Sequence, residues 1–364
     1  MSRNGQIAAW ARRCARCVYL LVCCLVAARA EAQSFASKTN SSDTNETRAT
    51  VIISQNARAT YDLQPVPEVI QSMVRSGITN LTGKPNVSQA WLSLVSKEDT
   101  VGIKVFSAPG PNSGTRPAVV AEIVQELLDA GIPPKQVVVW DRRLVDLRLA
   151  GFTEFETRFG IRVAGALEAG YDEKTYYEAA LLGPMNWTDV EFNQKGPSMG
   201  RKSYVSRLVT QQLTKIINVC PMMHHNVIGV NGLLYSLTFG SVDNTLRFEN
   251  NRPEINKAIP EIYALPVFGD KVAGEKVAVS IVDALICQYA GQEQGLLHYS
   301  TVLNQLRFSH DPVALDTLSL IEMNRQSKEA GQPVMSTNFD LLNNAAILEI
   351  GVSDTNCIST VKVE

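Results

Sequence analysis

Residues 100–141 read TVGIKVFSAPGPNSGTRPAVVAEIVQELLDAGIPPKQVVVWD, and they contain the pattern that decides the fold. The runs at 100–107 and 136–141 are short and rich in valine, which is typical of buried strands. Between them, 116–131 has apolar residues at helical spacing and ends in a glycine. A strand, a helix and a strand within about 40 residues predict a βαβ unit with a right-handed crossover and two parallel strands.

Further apolar runs extend this pattern to one large domain. The helix predicted over 312–329 begins after Asp311, a favoured N-cap residue. Segment 151–200 is rich in glycine, tyrosine and acidic residues, so we expect an irregular insertion there. The sequence thus predicts an α/β fold, a mostly parallel sheet flanked by helices, over residues 51–364. More strands are predicted over 215–220, 276–283 and 303–309, and more helices over 67–77 and 87–95.

Residues 1–32 have the features of a secretory signal peptide. Arginines precede the apolar run at 17–28, and small residues suited to cleavage follow near Ala30 and Ala32. The run is short for a membrane span, although an uncleaved anchor is the alternative. Residues 33–50 are polar and predict a flexible linker. We therefore expect an exported bacterial protein, periplasmic or extracellular, with no membrane span after cleavage; the general and twin-arginine export routes both stay open.

Composition argues against several classes of function. The formal net charge is −2, which gives no reason to expect nucleic-acid binding. Of the seven cysteines, only Cys220, Cys287 and Cys357 lie outside the predicted signal peptide, and they are far apart. Their spacing encodes neither a zinc site nor an iron–sulfur cluster. Buried thiols are expected, with one disulfide as the alternative.

The loop after the first strand of the βαβ unit is a candidate anion site. In an open parallel sheet, ligands bind outside the carboxyl ends of the strands. This loop brings Ser113, Thr115 and Arg116 to the start of a helix, whose N–H groups favour a phosphate or carboxylate. The sequence therefore predicts binding of a small anionic molecule here. An ordinary turn, with Thr115 as helix cap, is the alternative.

The segment PMMHHNVIGVNG at 221–232 holds two of the four histidines, His224 and His225. Adjacent side chains diverge, so the two are not expected to bind one ion together. His225 is a candidate catalytic residue, and Asn226 and Asn231 are candidate ligand-binding residues. The alternative is a polar loop with one buried, hydrogen-bonded histidine.

Carboxylates near other strand ends complete a candidate metal site. His225, Asp283 and Asp311 together offer a histidine and two carboxylates, a set that suits a divalent metal. Lys104, inside an apolar strand, and Asp316, on an apolar helix face, are further candidate catalytic groups. A buried carboxylate needs a partner or has a raised pKa, so a structural ion pair is the alternative for Asp316.

An ordered series of segments resembles the bacterial domain-of-unknown-function family 362. The series covers roughly residues 95–330, and the resemblance implies an α/β fold, often export, and no settled activity. Some members carry appended iron–sulfur segments. The matching segments are VGIKV (101–105), GTRPAVVAEIVQELLDAG (114–131), VVVWDR (137–142), INVCPMMHHNVIGVNGLL (217–234), FGSVDN (239–244), an interrupted block over 259–285 and DPVALD (311–316).

The chain departs from the pattern of this family at two lysines. Similar members usually have a lysine between the proline and the histidine, and TGALKN after it. Here PMMHH lacks the lysine and NGLLYS (231–236) replaces the second block, while His225 is the equivalent of the family histidine. If those lysines serve a family activity, the resemblance implies an altered site in this chain.

Three hypotheses on function follow. The first is an exported protein whose pocket at the strand carboxyl ends binds a small anionic molecule, with or without a divalent metal; whether it is an enzyme stays open. The second is a non-catalytic binding or scaffold protein with a degenerate site, which the missing lysines favour. The third is a redox-partner protein without its own cluster. The substrate and the reaction are not encoded in any recognisable motif.

Overall fold

The computed structural model describes residues 49–184, 199–249, 251–270, 274–291, 294–333 and 339–364. The predicted signal peptide and most of the predicted linker lie outside the described residues. The first strand begins at Ala49, just before the predicted start of the domain. Within the described ranges, no helix is long and apolar enough to cross a membrane.

The strands are β1 (Ala49–Gln55), β2 (Thr60–Tyr61), β3 (Gln64–Pro65), β4 (Val101–Lys104), β5 (Val137–Asp141), β6 (Arg162–Gly165), β7 (Tyr171–Pro184), β8 (Met199–Ser206), β9 (Lys215–His225), β10 (Gly229–Asn231), β11 (Gly269–Asp270), β12 (Gly274–Glu275), β13 (Val277–Gln288), β14 (Ser300–Ser309) and β15 (Ile358–Val363). The helices are α1 (Pro67–Thr82), α2 (Val87–Leu92), α3 (Pro117–Asp129), α4 (Leu144–Leu149), α5 (Glu154–Phe159), α6 (Ala166–Ala169), α7 (Leu233–Ser241), α8 (Leu246–Glu249), α9 (Arg252–Tyr263), α10 (Pro312–Glu329) and α11 (Asp340–Ile347).

The main sheet is mostly parallel, which confirms the predicted α/β fold. Its strand order is β15-β1-β14-β13-β9-β4-β5-β6, and β10 pairs with β9 at the side of this path. Along the path, neighbouring strands run parallel except where β14 pairs with β1 and β13. The predicted βαβ unit is β4, α3 and β5, with Val101 beside Val137.

The direction of β14 differs from the prediction. The polar residues after it were expected at the same edge of the sheet as those after β4, β5 and β9, but β14 runs antiparallel to β13. The connection from Gln288 to Ser300 is too short for the helical crossover that parallel neighbours need. The carboxyl end of β14, and with it Asp311, therefore lies at the opposite edge.

The chain changes direction across the sheet between β4 and β9. From β4 it proceeds to β5 and β6 on one side, and it later returns to β9 on the other side and continues to β13. Helices cover both faces: α1, α2 and α3 pack on one hydrophobic core, and α7, α9 and α10 pack on the other. The crevice outside the carboxyl ends of β4 and β9 is therefore at a topological switch point, where open α/β sheets bind ligands.

Segment 151–200 is more regular than the expected insertion. Helix α5 leads into β6, which adds to the sheet parallel to β5, and β7 pairs with β8 in a separate antiparallel ribbon. Most side chains of β7 are partly or fully exposed, so its sequence lacks the regular apolar spacing that predicts a buried strand. Residues 185–198, within the expected insertion, lie outside the described residues.

The ribbon is held by the segment after α7. The Asp243 carboxylate accepts the Tyr204 N–H at 2.6 Å, and the Asn244 amide donates to the Lys202 carbonyl at 2.8 Å. Asn244 has a φ of 47°, a left-handed conformation that asparagine tolerates better than most residues. The contacts of these two residues therefore anchor the ribbon to the segment after α7.

Candidate functional site

A cavity of about 450 Å³ lies at the carboxyl ends of β4, β5 and β9. It stands at the switch point of the sheet, and we call it the switch-point cavity. Its walls come from the residues after β4 and β5, the end of β9, and one face of α7. The lining residues are Phe106, Ala108, Asp141, Arg142, Arg143, Asp146, His225, Asn226, Tyr235, Ser236, Phe239, Gly240, Glu249 and Gln294.

A buried ion pair lies beneath this cavity. The Lys104 ammonium, with a fully buried side chain, donates to the Asp141 Oδ1 at 2.8 Å, the Ser236 Oγ at 3.0 Å and the Val105 carbonyl at 2.6 Å. An ammonium has three N–H donors, and each has an acceptor here. Lys104 therefore neutralises the Asp141 carboxylate and ties β4 to β5 and α7.

Asp141 also accepts hydrogen bonds from the two segments at the mouth of the cavity. Its Oδ2 accepts the backbone N–H and the hydroxyl of Ser107, at 2.8 and 2.7 Å. Its Oδ1 also accepts the Arg142 N–H at 2.7 Å. One carboxylate thus fixes both the loop after β4 and the turn after β5, the two segments that carry Phe106, Arg142 and Arg143.

Helix α7 is fixed by Asp316 at its start. The Asp316 oxygens accept the N–H groups of Leu233 and Leu234 at 2.8 and 3.0 Å, so the helix N-terminus has an ionisable cap. A Cβ on Gly232 would lie 2.3 Å from the Asp316 Oδ1, which explains the glycine. Burial raises the pKa of Asp316 to about 7, although the two amides oppose this. Asp316, a candidate catalytic group with an ion pair as the alternative, has two backbone amides as its partners, and these contacts position α7.

The two adjacent histidines have different environments. His225 lines the cavity, and its Nδ1 accepts the N–H groups of Val227 and Ile228 at 3.1 and 3.3 Å. His224 is buried, and neither of its nitrogens has a hydrogen-bond partner among the described residues. Burial, together with His225, lowers the pKa of His224 to about 4, so it is neutral at pH 7.

Aromatic side chains form one wall of the cavity. Tyr235 contacts His225 edge to face, with ring centroids 4.8 Å apart, and lies 5.2 Å from Phe239. Phe106, which follows the carboxyl end of β4, contacts Tyr235 with ring centroids 6.5 Å apart. Such pairs are rigid and apolar, so this wall suits the body of a small organic molecule.

The remaining wall is charged. Arg142 donates to the Thr245 hydroxyl at 3.0 Å, and that hydroxyl donates to Glu249 at 2.8 Å. Arg143 is exposed at the start of α4, one turn from Asp146. Burial and the nearby Asp141 raise the pKa of Asp146. Two guanidinium groups and two carboxylates therefore face the cavity beside the neutralised Asp141.

The predicted anion loop has structural partners instead. The Thr115 hydroxyl accepts the Phe106 N–H at 2.9 Å and donates to the Val219 carbonyl at 3.0 Å, while Arg116 is the N-cap residue of α3. The Arg116 guanidinium donates to Asp283 at 2.9 Å, and its backbone N–H to the same carboxylate at 3.0 Å. Ser113 is buried, and Ser113, Thr115 and Arg116 are all outside the cavity lining. The arginines that line the cavity are instead Arg142 and Arg143, which follow the neighbouring strand β5.

The three candidate metal ligands are not brought together. Asp283 forms the buried ion pair with Arg116, and Asp311 is the N-cap of α10, where it accepts the Ala314 N–H at 2.9 Å. Because β14 is antiparallel, Asp311 lies at the sheet edge away from His225. Within the described ranges, no three histidine, cysteine or acidic side chains are grouped so that they could hold a metal ion.

Sequence reasoning found part of the cavity. Asn226 lines it, whereas the side chain of Asn231 is buried and neither its oxygen nor its nitrogen has a hydrogen-bond partner among the described residues. Arg143, Asp146 and Glu249 were not predicted, because no motif contains them. Arg143 and Asp146 come from the start of α4, whereas Glu249 comes from α8. For Tyr235, the available signal was its place within the NGLLYS block that departs from the family pattern.

Fold and cavity together define an α/β protein with a ligand-sized cleft at a sheet switch point. The family described as Domain of unknown function (DUF362) matches residues 101–320, more than half of the chain, and the chain belongs to this family. No curated protein matches it. A crystal structure of a Thermotoga maritima protein from a structural genomics consortium is similar at 11% identity, with a TM-score of 0.39, over 73% of this chain and 59% of that one.

Removal of Lys104 tests whether the buried ion pair organises the cavity. Lys104→Met leaves the Asp141 carboxylate buried without its cation, so the free energy of unfolding should fall by about 3–5 kcal/mol. Chemical denaturation measures this change. Lys97→Met, at an exposed position, is the control and should change it by less than about 0.5 kcal/mol. Equal effects of the two substitutions would contradict a structural role for the pair.

The adjacent histidines provide a matched pair of substitutions. His225→Leu removes the acceptor of two amides and should lower the free energy of unfolding by about 1–3 kcal/mol, whereas His224→Leu should not lower it at pH 7.5. The unfolded chain protonates His224 near pH 6.5 and the folded chain near 4, so the wild type loses stability as pH falls. At pH 5 it should have lost about 2 kcal/mol relative to His224→Leu. Parallel pH profiles would contradict the buried neutral state.

Proposed function

We propose that the switch-point cavity binds a small organic molecule that carries a carboxylate or phosphate group. The observation that carries this proposal is the convergence of Arg142, Arg143 and His225 on one cavity at the strand carboxyl ends. Its volume of about 450 Å³ lies within the range of small-molecule sites. The ligand would be a metabolite rather than a polymer.

Charge and shape suggest the orientation of the ligand. The guanidinium groups of Arg142 and Arg143 suit an anionic group, because a planar fork of donors matches carboxylate or phosphate oxygens. Asp146 and Glu249 lie on the same side and favour an amine or hydroxyl next to that anion. The aromatic wall around Tyr235 suits the apolar body of the molecule.

Binding is better supported than lysine-dependent chemistry. In the NGLLYS block, Tyr235 and Ser236 stand where similar members have lysine and asparagine, and both line the cavity. Met222 and Met223 occupy the stretch between the proline and the histidine, and both are buried. The cavity therefore offers arginines for recognition, while the Lys104 ammonium beneath it has its acceptors within the protein.

We also propose that the protein is exported by means of its first 32 residues. Mass spectrometry of the protein from the exported fraction should give a mature N-terminus close to Glu31 or Gln33. Leu21→Arg interrupts the apolar run and should retain the full-length chain in the cytoplasm. A full-length chain in the exported fraction would refute cleavage, and retention of the wild type would refute export.

Paired arginine substitutions test the binding proposal. Calorimetric titration with inorganic phosphate and with succinate, at constant ionic strength, should show binding to the wild type. Arg143→Gln should weaken it roughly tenfold, since the loss of one charged contact is worth about 1.4 kcal/mol. Arg148→Gln, at an exposed position of the same helix outside the cavity lining, is the control and should bind as the wild type does. Equal weakening by both would indicate a general effect of charge, and no binding to the wild type would refute the proposal.

A further inference from the structure

Four charged side chains of the switch-point cavity do not form ion pairs with one another. Arg142 and Arg143 are the cations, and Asp146 and Glu249 are the carboxylates. Within the described ranges, no ion pair joins any of the four to another side chain. The wall of the cavity therefore has opposite charges that are held apart, in contrast to the closed ion pair beneath it.

Asp146 is the carboxylate with the fewest partners. It lies three residues after Arg143, a spacing at which opposite charges on a helix can meet, yet the two do not pair. Burial and the nearby Asp141 raise its pKa, and no hydrogen bond from a described residue opposes this effect. The charges that act on Asp146 include Asp141, Arg142 and Arg143, which all line the cavity. Because such effects need proximity, its carboxylate lies on the cavity side of α4.

The other two charged groups have partners within the protein. Arg142 donates to the Thr245 hydroxyl at 3.0 Å, and this hydroxyl donates to the Glu249 carboxylate at 2.8 Å. The side chains of Arg143 and Asp146, by contrast, make no hydrogen bond to any residue that the structure describes. Arg143 and Asp146 are therefore the cation and the anion that a ligand can engage.

We infer that the ligand of the switch-point cavity is a zwitterion of the amino-acid class, whose anionic group binds Arg143 and whose ammonium group binds Asp146. This inference rests on the proposed function and names the class of its ligand. A guanidinium offers a fork of donors to a carboxylate, and an ammonium offers three donors to carboxylate oxygens. A ligand with negative charge alone would leave Asp146 without a cation and bring like charges together.

The rest of the cavity has room for the side chain of such a ligand. The volume of about 450 Å³ exceeds what an ammonium and a carboxylate group occupy. Phe106 and Phe239 form part of the aromatic wall, which suits carbon atoms rather than further charges. The two charged groups of the ligand are thus expected at α4, and its carbon chain at α7.

Succinate and aspartate form a matched pair of probes. They share the carbon chain and both carboxylates, and aspartate has in addition one ammonium group. Calorimetric titration of the wild type at pH 7.5 and constant ionic strength should give aspartate a roughly tenfold higher affinity, the gain expected for a hydrogen bond between charged groups. Succinate binding with equal or weaker aspartate binding would overturn the inference and leave the proposed function intact. No binding of either probe would overturn both.

Substitution of Asp146 tests which residue recognises the ammonium group. Asp146→Asn keeps the size of the side chain and removes its charge, so the affinity for aspartate should fall to that for succinate. Succinate should bind as to the wild type or more tightly, because a like charge is removed. Arg143→Gln should weaken both probes alike. Glu154→Gln, at an exposed position of α5 outside the cavity lining, is the control and should keep the preference for aspartate.

The ratio of the two affinities separates recognition from a structural role. A distorted cavity would weaken both probes together, whereas loss of the ammonium contact changes aspartate binding alone. Chemical denaturation checks that Asp146→Asn is folded. A folded Asp146→Asn variant that keeps the preference for aspartate, or that weakens both probes equally, would overturn the inference.

Discussion

The buried ion pair of Lys104 and Asp141 is the constraint on which the rest of the site depends. A charge removed from water needs a partner and a full set of hydrogen bonds, and this pair has both within the protein. Lys104 lies on β4 and Asp141 on β5, and their hydrogen-bond partners include Ser107 in the loop after β4 and Ser236 in helix α7. The relative positions of these segments are therefore linked. The cavity is the space that this network leaves at the sheet edge.

Helix α7 shows how buried polar contacts shape an apolar wall. Asp316 holds its first turn, and at its last turn a Cβ on Gly240 would lie 2.4 Å from the Lys104 Cε. Asp316 thus holds the start of the helix, and Lys104 packs closely against its last turn. Between these ends, Tyr235 and Phe239 are turned towards His225 and the cavity.

Much of the fold was accessible from local patterns, and the site only in part. The valine-rich runs predicted β4 and β5, and Asp311 predicted the start of α10, because these features depend on neighbouring residues alone. The direction of β14 depends on its pairing partner, which periodicity does not specify. The three predicted metal ligands are therefore not close together. Asp311 lies at the opposite edge of the sheet because β14 is antiparallel to β13, and Asp283 forms an ion pair with Arg116.

By itself, the sequence determined an α/β chain with a parallel βαβ centre and a histidine-containing segment at a strand end. Only the tertiary structure decided what those histidines do. His224 and His225 are the same residue type and adjacent, yet the ring nitrogens of His224 are buried with no hydrogen-bond partner among the described residues, whereas the Nδ1 of His225 accepts two amides at the cavity. Side-chain chemistry is local, but protonation and access depend on the groups that folding brings within hydrogen-bond distance.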